Sequence, residues 1–411
     1  YNKDEDAYHR SAASFNGEQK FSEYLKGNVT FSRATGQADY DNRYLVDGLP
    51  HTEFESSVAS TALTLDLNRF VSKLQYGVAS DTSENFNDMP DYTLFETRRN
   101  VGSWENSVIP TDWLTVNFGT DYTHEEVVGT MAYSQTRRDD FGGYANTRLD
   151  VDAWSWSVGM RHDNNEQFGS KWTGDTALGW EFMTGTTASI SYGQAYKAPS
   201  FNDLYWPFAD YSFPPFFYYS ESGNSSLVPE ESETYEFGID SYQDWGMASA
   251  HLYKTHVDNL IEWDGDENGH WEPANLNSVT IRGAELQYGT EWVGISWQTS
   301  FTYEKVTNNL TREELDLRPR RRVALDMDRT FGPVGLGLTL SGQSQQYDEL
   351  DNERVVLGGY GQLDLRASWQ VIPSLKLRAR VDNALDKDQE PAVGFNNEGR
   401  FVMFFVDYTP Q

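Results

Sequence analysis

The chain has no cysteine and no run of eighteen apolar residues among its 411 residues. The first absence leaves the chain without disulfides, and the second excludes a transmembrane helix. Basic residues are scarce too, with 32 Lys and Arg against 63 Asp and Glu, for a formal net charge of −31. Because nucleic acid repels so acidic a protein, no nucleic-acid partner is expected.

Catalytic arrangements are missing as well. Seven histidines are scattered along the chain, and neither a nucleophile elbow with a Ser-His-Asp set nor a P-loop is found. The sequence therefore predicts a protein that is not an enzyme and requires no cofactor for chemistry.

The chain does contain about nineteen segments in which apolar and polar residues alternate. In one of them, Trp154, Trp156, Val158 and Met160 alternate with Ser155, Ser157, Gly159 and Arg161. A β-strand directs successive side chains to opposite faces, so each segment makes one apolar and one polar surface. This period predicts an all-β protein.

Tight turns and long polar connections alternate between these segments. The long connections are predicted near residues 42–51, 81–91, 123–140, 162–170, 199–230, 264–275, 308–317, 348–354 and 386–399. Unequal ends of this kind are typical of a transmembrane antiparallel up-and-down β-barrel. A soluble sandwich or propeller also alternates, but the four-strand repeat of a propeller is not found. Segments of ten or more residues and aromatic residues at strand ends favour the membrane barrel.

The strand directions predict a larger barrel. If the last strand, residues 400–408, ends on the tight-turn side, the first strand, residues 8–20, begins on the long-loop side. Bacterial barrels of one chain have even strand numbers. An odd number of strands is therefore expected upstream, unless one strand here has been missed or split.

Several motifs resemble one family. They are YGQAYKAPSFNDLYWP at residues 192–207, NSSLVPEESETYEFG at 224–238, IRGAELQ at 281–287, LRPRRR at 317–322 and VDNALDKD at 381–388. In this order they resemble the C-terminal two-thirds of TonB-dependent outer-membrane receptors, and in particular the cobalamin-receptor branch. The resemblance extends over essentially the whole chain.

The resemblance implies a barrel of 22 strands around an N-terminal plug with a TonB box. Residues 1–411 would then be barrel alone, without the plug and about three strands. It also implies TonB-energised uptake of a scarce, bulky nutrient, cobalamin-like or a metal chelate, across the outer membrane of a Gram-negative bacterium. The expected partners are TonB, the nutrient, outer-membrane lipid and lipopolysaccharide, with a monomeric barrel. A plugless passive pore or a structural subunit of a surface assembly is the alternative.

The candidate ligand-binding residues lie in the connection at residues 201–220. An exposed aromatic cluster is typical of a binding surface. The alternative is an aromatic girdle that packs on the rim or on lipid. The predicted ligand contacts are Tyr205, Trp206, Phe208, Tyr211, Phe216, Phe217 and Tyr218.

Two acidic segments are candidates for calcium. DGDENG at residues 264–269 begins like an EF-hand loop, but its twelfth position is Asn275 instead of Glu, which excludes an EF-hand. Asp39 and Asp41 lie on one face of a strand end and are predicted to share a cation. The resemblance implies Ca²⁺ in extracellular loops near them, with ordinary solvated carboxylates as the alternative.

Four arginines are expected to face the lumen of the barrel, opposite the acidic Asp326 and Asp328. There they would dock a plug, guide an anionic solute or balance charge along a wet wall. They are Arg321, Arg322, Arg378 and Arg380.

Overall fold

The structure is a computed structural model that describes residues 7–40, 50–86, 92–212, 218–266, 268–276, 278–350, 353–395, 397 and 399–409. Strands dominate these residues. Among them, no helix is long and apolar enough to cross a bilayer. The first ten strands are β1 (Tyr8–Lys20), β2 (Leu25–Asp39), β3 (His51–Asp66), β4 (Phe70–Phe86), β5 (Thr93–Thr111), β6 (Leu114–Gly129), β7 (Arg137–Val151), β8 (Trp154–Asn165), β9 (Gly169–Met183) and β10 (Thr186–Lys197).

The second half mixes long strands with short ones inside the connections. Its elements are α1 (Phe201–Tyr205), β11 (Ala209–Asp210), β12 (Ser220–Glu221), β13 (Glu230–Gln243), β14 (Gly246–Asp258), β15 (Ile261–Gly265), β16 (His270–Asn275), β17 (Ser278–Trp292), β18 (Ile295–Asn308), β19 (Arg321–Phe331), β20 (Val334–Gln343), β21 (Gln346–Leu350), β22 (Glu353–Leu357), β23 (Tyr360–Ile372), β24 (Leu375–Asp382) and β25 (Phe401–Tyr408).

Nineteen strands form one antiparallel sheet. Each long strand pairs with the next long strand in the chain, from β1 with β2 to β24 with β25. Within the described part of the chain, β1 and β25 each have one neighbour. The predicted up-and-down meander of about nineteen strands is confirmed, and β1 has the predicted bounds.

One face of the sheet is apolar and uncovered. Trp154 and Met160 on β8 are 48% and 59% exposed. Ile190, on the same face of the sheet in β10, is 61% exposed. A soluble sandwich would bury such a face against a second sheet. An apolar face of this extent is instead suited to contact with lipid.

Several strands are longer than a bilayer requires. β5 has 19 residues, whereas a tilted membrane strand needs about 10. The connections near residues 81–91, 123–140 and 162–170 were therefore predicted to begin too early, because β4 continues to Phe86, β6 continues to Gly129, and residues 166–168 alone join β8 to β9. Polar cross-strand pairs such as Arg137–Glu126, 2.8 Å apart, extend the ladder beyond the apolar band.

The polar face is crossed by ion pairs that skip a strand. Arg161 on β8 makes two 2.8 Å bonds to Asp121 on β6. Gly142 on the intervening β7 makes this possible, because a Cβ there would collide with the guanidinium of Arg161. In the same way, Gly337 on β20 leaves room between Arg366 and Asp328, whose atoms are 2.7 Å apart.

The predicted lumen arginines have partners other than the predicted Asp326 and Asp328, which both pair with Arg366. Arg378 pairs with Asp407 at 2.6 Å, Arg380 with Asp382, and Arg322 with Glu304 at 3.8 Å. The prediction was wrong for Arg321. It has the parity of the exposed, apolar Val323 and therefore lies on the opposite face from Arg322.

The tight turns lie at one end of the sheet, and the long connections lie at the other, called here the long-loop end. Residues 293–294 join β17 to β18 with positive φ at both positions, +53° at Val293 and +70° at Gly294. A two-residue turn of this kind matches the twist of the strands that it joins. At the long-loop end, two successive connections fold together. β11, β12, β16 and β15 form a four-stranded sheet, in which β12 and β16 pair in parallel. We call α1 and this sheet the cap.

Candidate functional site

The cap begins with a well-capped helical turn. Ser200 is the N-cap of α1, and its side chain accepts a hydrogen bond from the backbone N–H of Asp203, whose carboxylate accepts one from the N–H of Ser200. This reciprocal arrangement satisfies two donors that a helix end otherwise leaves free. Phe201 and Leu204 are buried at 6% and 2% exposure. The apolar side of α1 therefore faces inward, and the aromatic segment begins at the last residue of this helix, Tyr205.

Arg138 fastens α1 to the wall. Its guanidinium donates 2.8 Å to the carbonyl oxygen of Pro199, lies 5.0 Å from the ring centroid of Phe201 and pairs with Glu125 at 2.9 Å. Glu125 also binds Arg99 on β5. Arg138 is 9% exposed, so this charge is paired and hydrogen-bonded where it is buried.

Two of the predicted ligand residues are structural anchors. The ring of Trp206 stacks on Phe95 at 5.5 Å and meets Tyr133 edge-on at 6.3 Å, and its indole N–H donates to Glu221 at 2.9 Å. The hydroxyl of Tyr205 donates to Gln135 at 3.0 Å. Both side chains are half-buried. They hold the cap against the ends of the wall strands.

Three other predicted residues have exposed side chains, as contact with a ligand requires. Phe208, Tyr211 and Tyr218 are 67%, 52% and 60% exposed. We call these three side chains the aromatic surface. Phe216 and Phe217, also predicted as ligand contacts, lie outside the described residues. The loop at 201–220 therefore divides into an anchored part and an exposed part.

Glu221 is the shared hydrogen-bond acceptor of three aromatic side chains of the cap. Its carboxylate accepts hydrogen bonds from Trp206, from Tyr211 at 3.5 Å and from Tyr219 at 3.0 Å. Burial, together with the charge of Glu221, raises the pKa of Tyr211. Burial also raises the pKa of Tyr133 to about 12, which keeps its hydroxyl protonated as the 2.6 Å donor to Asn202. The hydroxyls of Tyr133 and Tyr211 are thus neutral hydrogen-bond donors at ordinary pH.

The two connections of the cap are held together by polar contacts. Ser220 and Ser222 lie 3.0 and 3.2 Å from the two ring nitrogens of His270 on β16. Asn224 donates 3.0 Å to the carbonyl of Pro273, and Trp263 donates 3.2 Å to Asp203. The aromatic surface is therefore carried by a folded unit, which lowers the cost of ordering it on a ligand.

The acidic candidates for calcium are used locally as far as they are described. The carboxylate of Asp266 accepts the backbone N–H of Asn268 and of His270, and these bonds lower its pKa. Asp39 accepts hydrogen bonds from the N–H of Ala7 at 3.2 Å and from Gln37 at 2.7 Å. Asp41 lies outside the described residues, so the shared cation stays a prediction.

Sequence reasoning missed the anchors Arg138, Glu125 and Phe95. Arg138 is 61 residues from Pro199 and 63 from Phe201 in the chain, and neither local period nor motif marks it. The signal that was available is the pair of consecutive basic residues at Arg137 and Arg138, of which Arg138 has the parity of the inward-facing Gly142.

Comparison with known proteins adds to this geometry. Residues 1–384 match the model of the family described as TonB dependent receptor-like, beta-barrel. The vitamin B12 transporter BtuB of Photobacterium profundum is 28% identical over 375 residues, 89% of this chain and 59% of that protein. BtuB of Vibrio vulnificus is 27% identical over 325 residues, 77% of this chain and 50% of that protein. The chain spans between half and three-fifths of the length of these relatives.

Solved structures show the same fold at low identity. The siderophore receptor PirA of Acinetobacter baumannii has a TM-score of 0.82 at 15% identity, over 98% of this chain and 71% of that chain. A mutant ferric enterobactin receptor of Pseudomonas aeruginosa has a TM-score of 0.81 at 15% identity, over 97% and 69%. The copper transporter OprC has a TM-score of 0.80 at 16% identity, over 98% and 72%. The chain belongs to the TonB-dependent receptor β-barrel family, whose members are receptors and transporters, not enzymes, of the Gram-negative outer membrane.

Proposed function

We propose that this chain forms the membrane wall and extracellular cap of a receptor for a scarce, bulky nutrient, cobalamin-like or a metal chelate. The aromatic surface carries the proposal. Three exposed aromatic side chains on a pre-folded cap supply a large contact area with little loss of conformational freedom. Relatives that transport vitamin B12 favour cobalamin, and the solved siderophore and copper proteins keep a metal chelate as the other ligand class.

The wall is proposed to be completed by about three further strands and filled by a plug with a TonB box, as in barrels of 22 strands. The support is the single neighbour of β1 and of β25 within the described residues. A strand edge that faces lipid leaves its N–H and C=O groups without partners, so a membrane wall has to be closed. Uptake is then energised through TonB, and uptake that survives deletion of TonB would overturn this step in favour of a passive pore.

Ligand binding is tested on the detergent-solubilised receptor by quenching of tryptophan fluorescence. Cyanocobalamin is titrated against the native protein and against the combined variant Phe208→Ala, Tyr211→Ala and Tyr218→Ala. We expect sub-micromolar binding that weakens on the order of 100-fold in the variant, because buried aromatic contacts dominate interface energies.

The control replaces two aromatic residues at the tight-turn end, Tyr242→Ala and Trp292→Ala. Their side chains are as exposed as the aromatic surface, at 67% and 68%. Cobalamin affinity should stay unchanged in this control. Absence of sub-micromolar cobalamin binding moves the assignment to a metal chelate, and unchanged binding in the aromatic variant overturns the aromatic surface as the site.

Calcium is proposed to stabilise the loop that follows β2, through Asp39 and Asp41. Carboxylate oxygens are preferred Ca²⁺ ligands. The cobalamin titration is therefore repeated once with about 1 mM Ca²⁺, in the range where extracellular calcium-binding modules bind the ion, and once with a chelator. The site is supported if Ca²⁺ raises cobalamin affinity in the native protein but not in Asp39→Asn. It is overturned if Ca²⁺ does not change the affinity of the native protein.

A further inference from the structure

An unusual row of basic residues crosses the apolar face at the long-loop end. Lys254 on β14 is the direct cross-strand partner of Arg282 on β17, and Arg282 is the direct partner of Lys305 on β18. Arg321 follows on β19, opposite Tyr303. We call these four residues the cationic row.

The cationic row lies on the lipid-facing side of the wall. Lys254 has the parity of Leu252, Arg282 that of Leu286, and Arg321 that of Val323. These apolar side chains are 57%, 49% and 48% exposed. Along each of these strands the basic residue stands two or four positions beyond the apolar one, toward the long-loop end. The row therefore marks the upper boundary of the apolar band.

Aromatic neighbours also place the cationic row at the boundary between membrane and water. Lys254 pairs across the strands with Tyr235, which is 55% exposed, and Tyr235 pairs with Tyr192. Tyr side chains are enriched where the membrane meets water. The long stems of Lys and Arg can lie along apolar surface while their charged ends reach the headgroups.

Like charges on directly opposed residues destabilise a sheet. Within the described residues, Lys254 and Arg282 have no ion pair, and Asp258, four positions beyond Lys254 on β14, pairs with His256 at 3.2 Å. Lys305 contacts Glu314 at 3.4 Å, but the same carboxylate also binds Arg320. In a chain with a net charge of −31, this row keeps positive charge that acidic residues do not neutralise.

A polar cavity of about 310 Å³ adjoins the row. Arg318, Arg320 and Arg321 line it together with Glu314, whose side chain is 13% exposed. Of the three guanidinium groups, only that of Arg320 pairs with Glu314, so those of Arg318 and Arg321 have donors left for another anion. Guanidinium groups bind phosphate oxygens through two parallel hydrogen bonds.

We propose that the cationic row and this cavity bind the phosphate groups of lipid A, the phosphorylated glycolipid anchor of lipopolysaccharide in the outer leaflet. The acyl chains would lie on the apolar band beneath, and the phosphates would replace the missing carboxylates. A free anion would not need apolar contact, and a nutrient bound by the cap would not reach the outside of the wall. The lipid phosphate is therefore the occupant that fits both neighbours of the row.

The test measures lipid A bound to the detergent-solubilised receptor by native mass spectrometry. The variant is Lys254→Gln, Arg282→Gln and Lys305→Gln. One basic residue near a charged membrane surface changes affinity by about fivefold, so three should weaken binding on the order of 100-fold. The matched control Lys26→Gln, Lys73→Gln and Lys376→Gln removes the same charge at the tight-turn end and should bind like the native protein.

The phosphate is tested separately. Dephosphorylated lipid A should bind the native protein about as weakly as lipid A binds the variant, and inorganic phosphate should not compete at concentrations near that of the lipid. Equal binding by the variant and the native protein would overturn the proposal, as would equal binding of the two lipids. The circular dichroism spectrum and the thermal unfolding midpoint of the variant, compared with those of the native protein, check that the variant is folded.

Discussion

Two parts of one aromatic segment have opposite roles. Trp206 is stacked and hydrogen-bonded into the end of the wall, whereas Phe208, two residues later, is 67% exposed. Both have the composition expected of a ligand-binding loop. What separates them is where their contacts lie: Trp206 packs on Phe95 and Tyr133 outside the cap, whereas the ring contact of Phe208 is with His270 inside the cap. In an aromatic loop, therefore, only the residues that do not pack on the rest of the protein are candidates for ligand contact.

The largest effect is expected at the base of the anchored part. Arg138→Ala should destabilise the cap by about 3 kcal/mol, because it leaves the Pro199 carbonyl and part of the Glu125 carboxylate buried without a donor. Hydrogen exchange of residues 198–229 in the solubilised protein measures this local opening.

Arg137→Ala is the matched control for Arg138. Its side chain is 68% exposed and pairs with Glu126 at the surface, so its loss should cost below about 1 kcal/mol. Equal protection in both variants would mean that Arg138 does not hold the cap.

Replacing one aromatic residue in each part distinguishes anchoring from ligand contact. Trp206→Ala should cost about 2–3 kcal/mol of cap stability through lost packing on Phe95 and Tyr133. Phe208→Ala should change stability by less than about 0.5 kcal/mol and act on ligand affinity instead. The same exchange experiment reads the stability, and fluorescence titration reads the affinity. A variant of Phe208 that loosens the cap would contradict the division.

The wall provides the next test, since its pairs skip strands through glycines. Gly142→Ala should cost about 1–2 kcal/mol, because the added methyl group displaces the guanidinium of Arg161 from Asp121. Gly102→Ala is the control, since a Cβ there meets nothing within 4 Å. Urea unfolding of the protein in lipid vesicles compares the two, and equal midpoints would show that the crossing pair contributes nothing.

Much of the wall was predictable because its rule is local. The alternation at Trp154–Met160 fixes which residues face lipid, and β1 has the bounds expected from the sequence, Tyr8–Lys20. Strand ends beyond the bilayer were misplaced, since polar residues such as Glu126 continue the ladder without an apolar period. Arg321 was assigned to the wrong face although its parity with Val323 was readable.

The cap was less predictable because its rule is not local. The motif around Ser200 was recognised, but its sheet joins β12 to β16 in parallel across about 50 residues, a pairing that single-sequence periodicity does not contain. Arg138 and Glu125 sit on wall strands and serve the cap from there. Residues that join the wall to the cap are therefore marked neither by the period of the strands nor by the motif of the cap.

The smallest effect is expected inside the exposed part itself. Tyr211→Phe removes a 3.5 Å hydrogen bond to Glu221 at a residue that is 52% exposed, so stability should change by less than about 0.5 kcal/mol. Tyr219→Phe removes a 3.0 Å bond to the same carboxylate and should cost about 0.5–1 kcal/mol. If the order were reversed in hydrogen exchange of β11 and β12, Tyr211 would belong with the anchors. The aromatic surface would then consist of Phe208 and Tyr218 alone among the described residues.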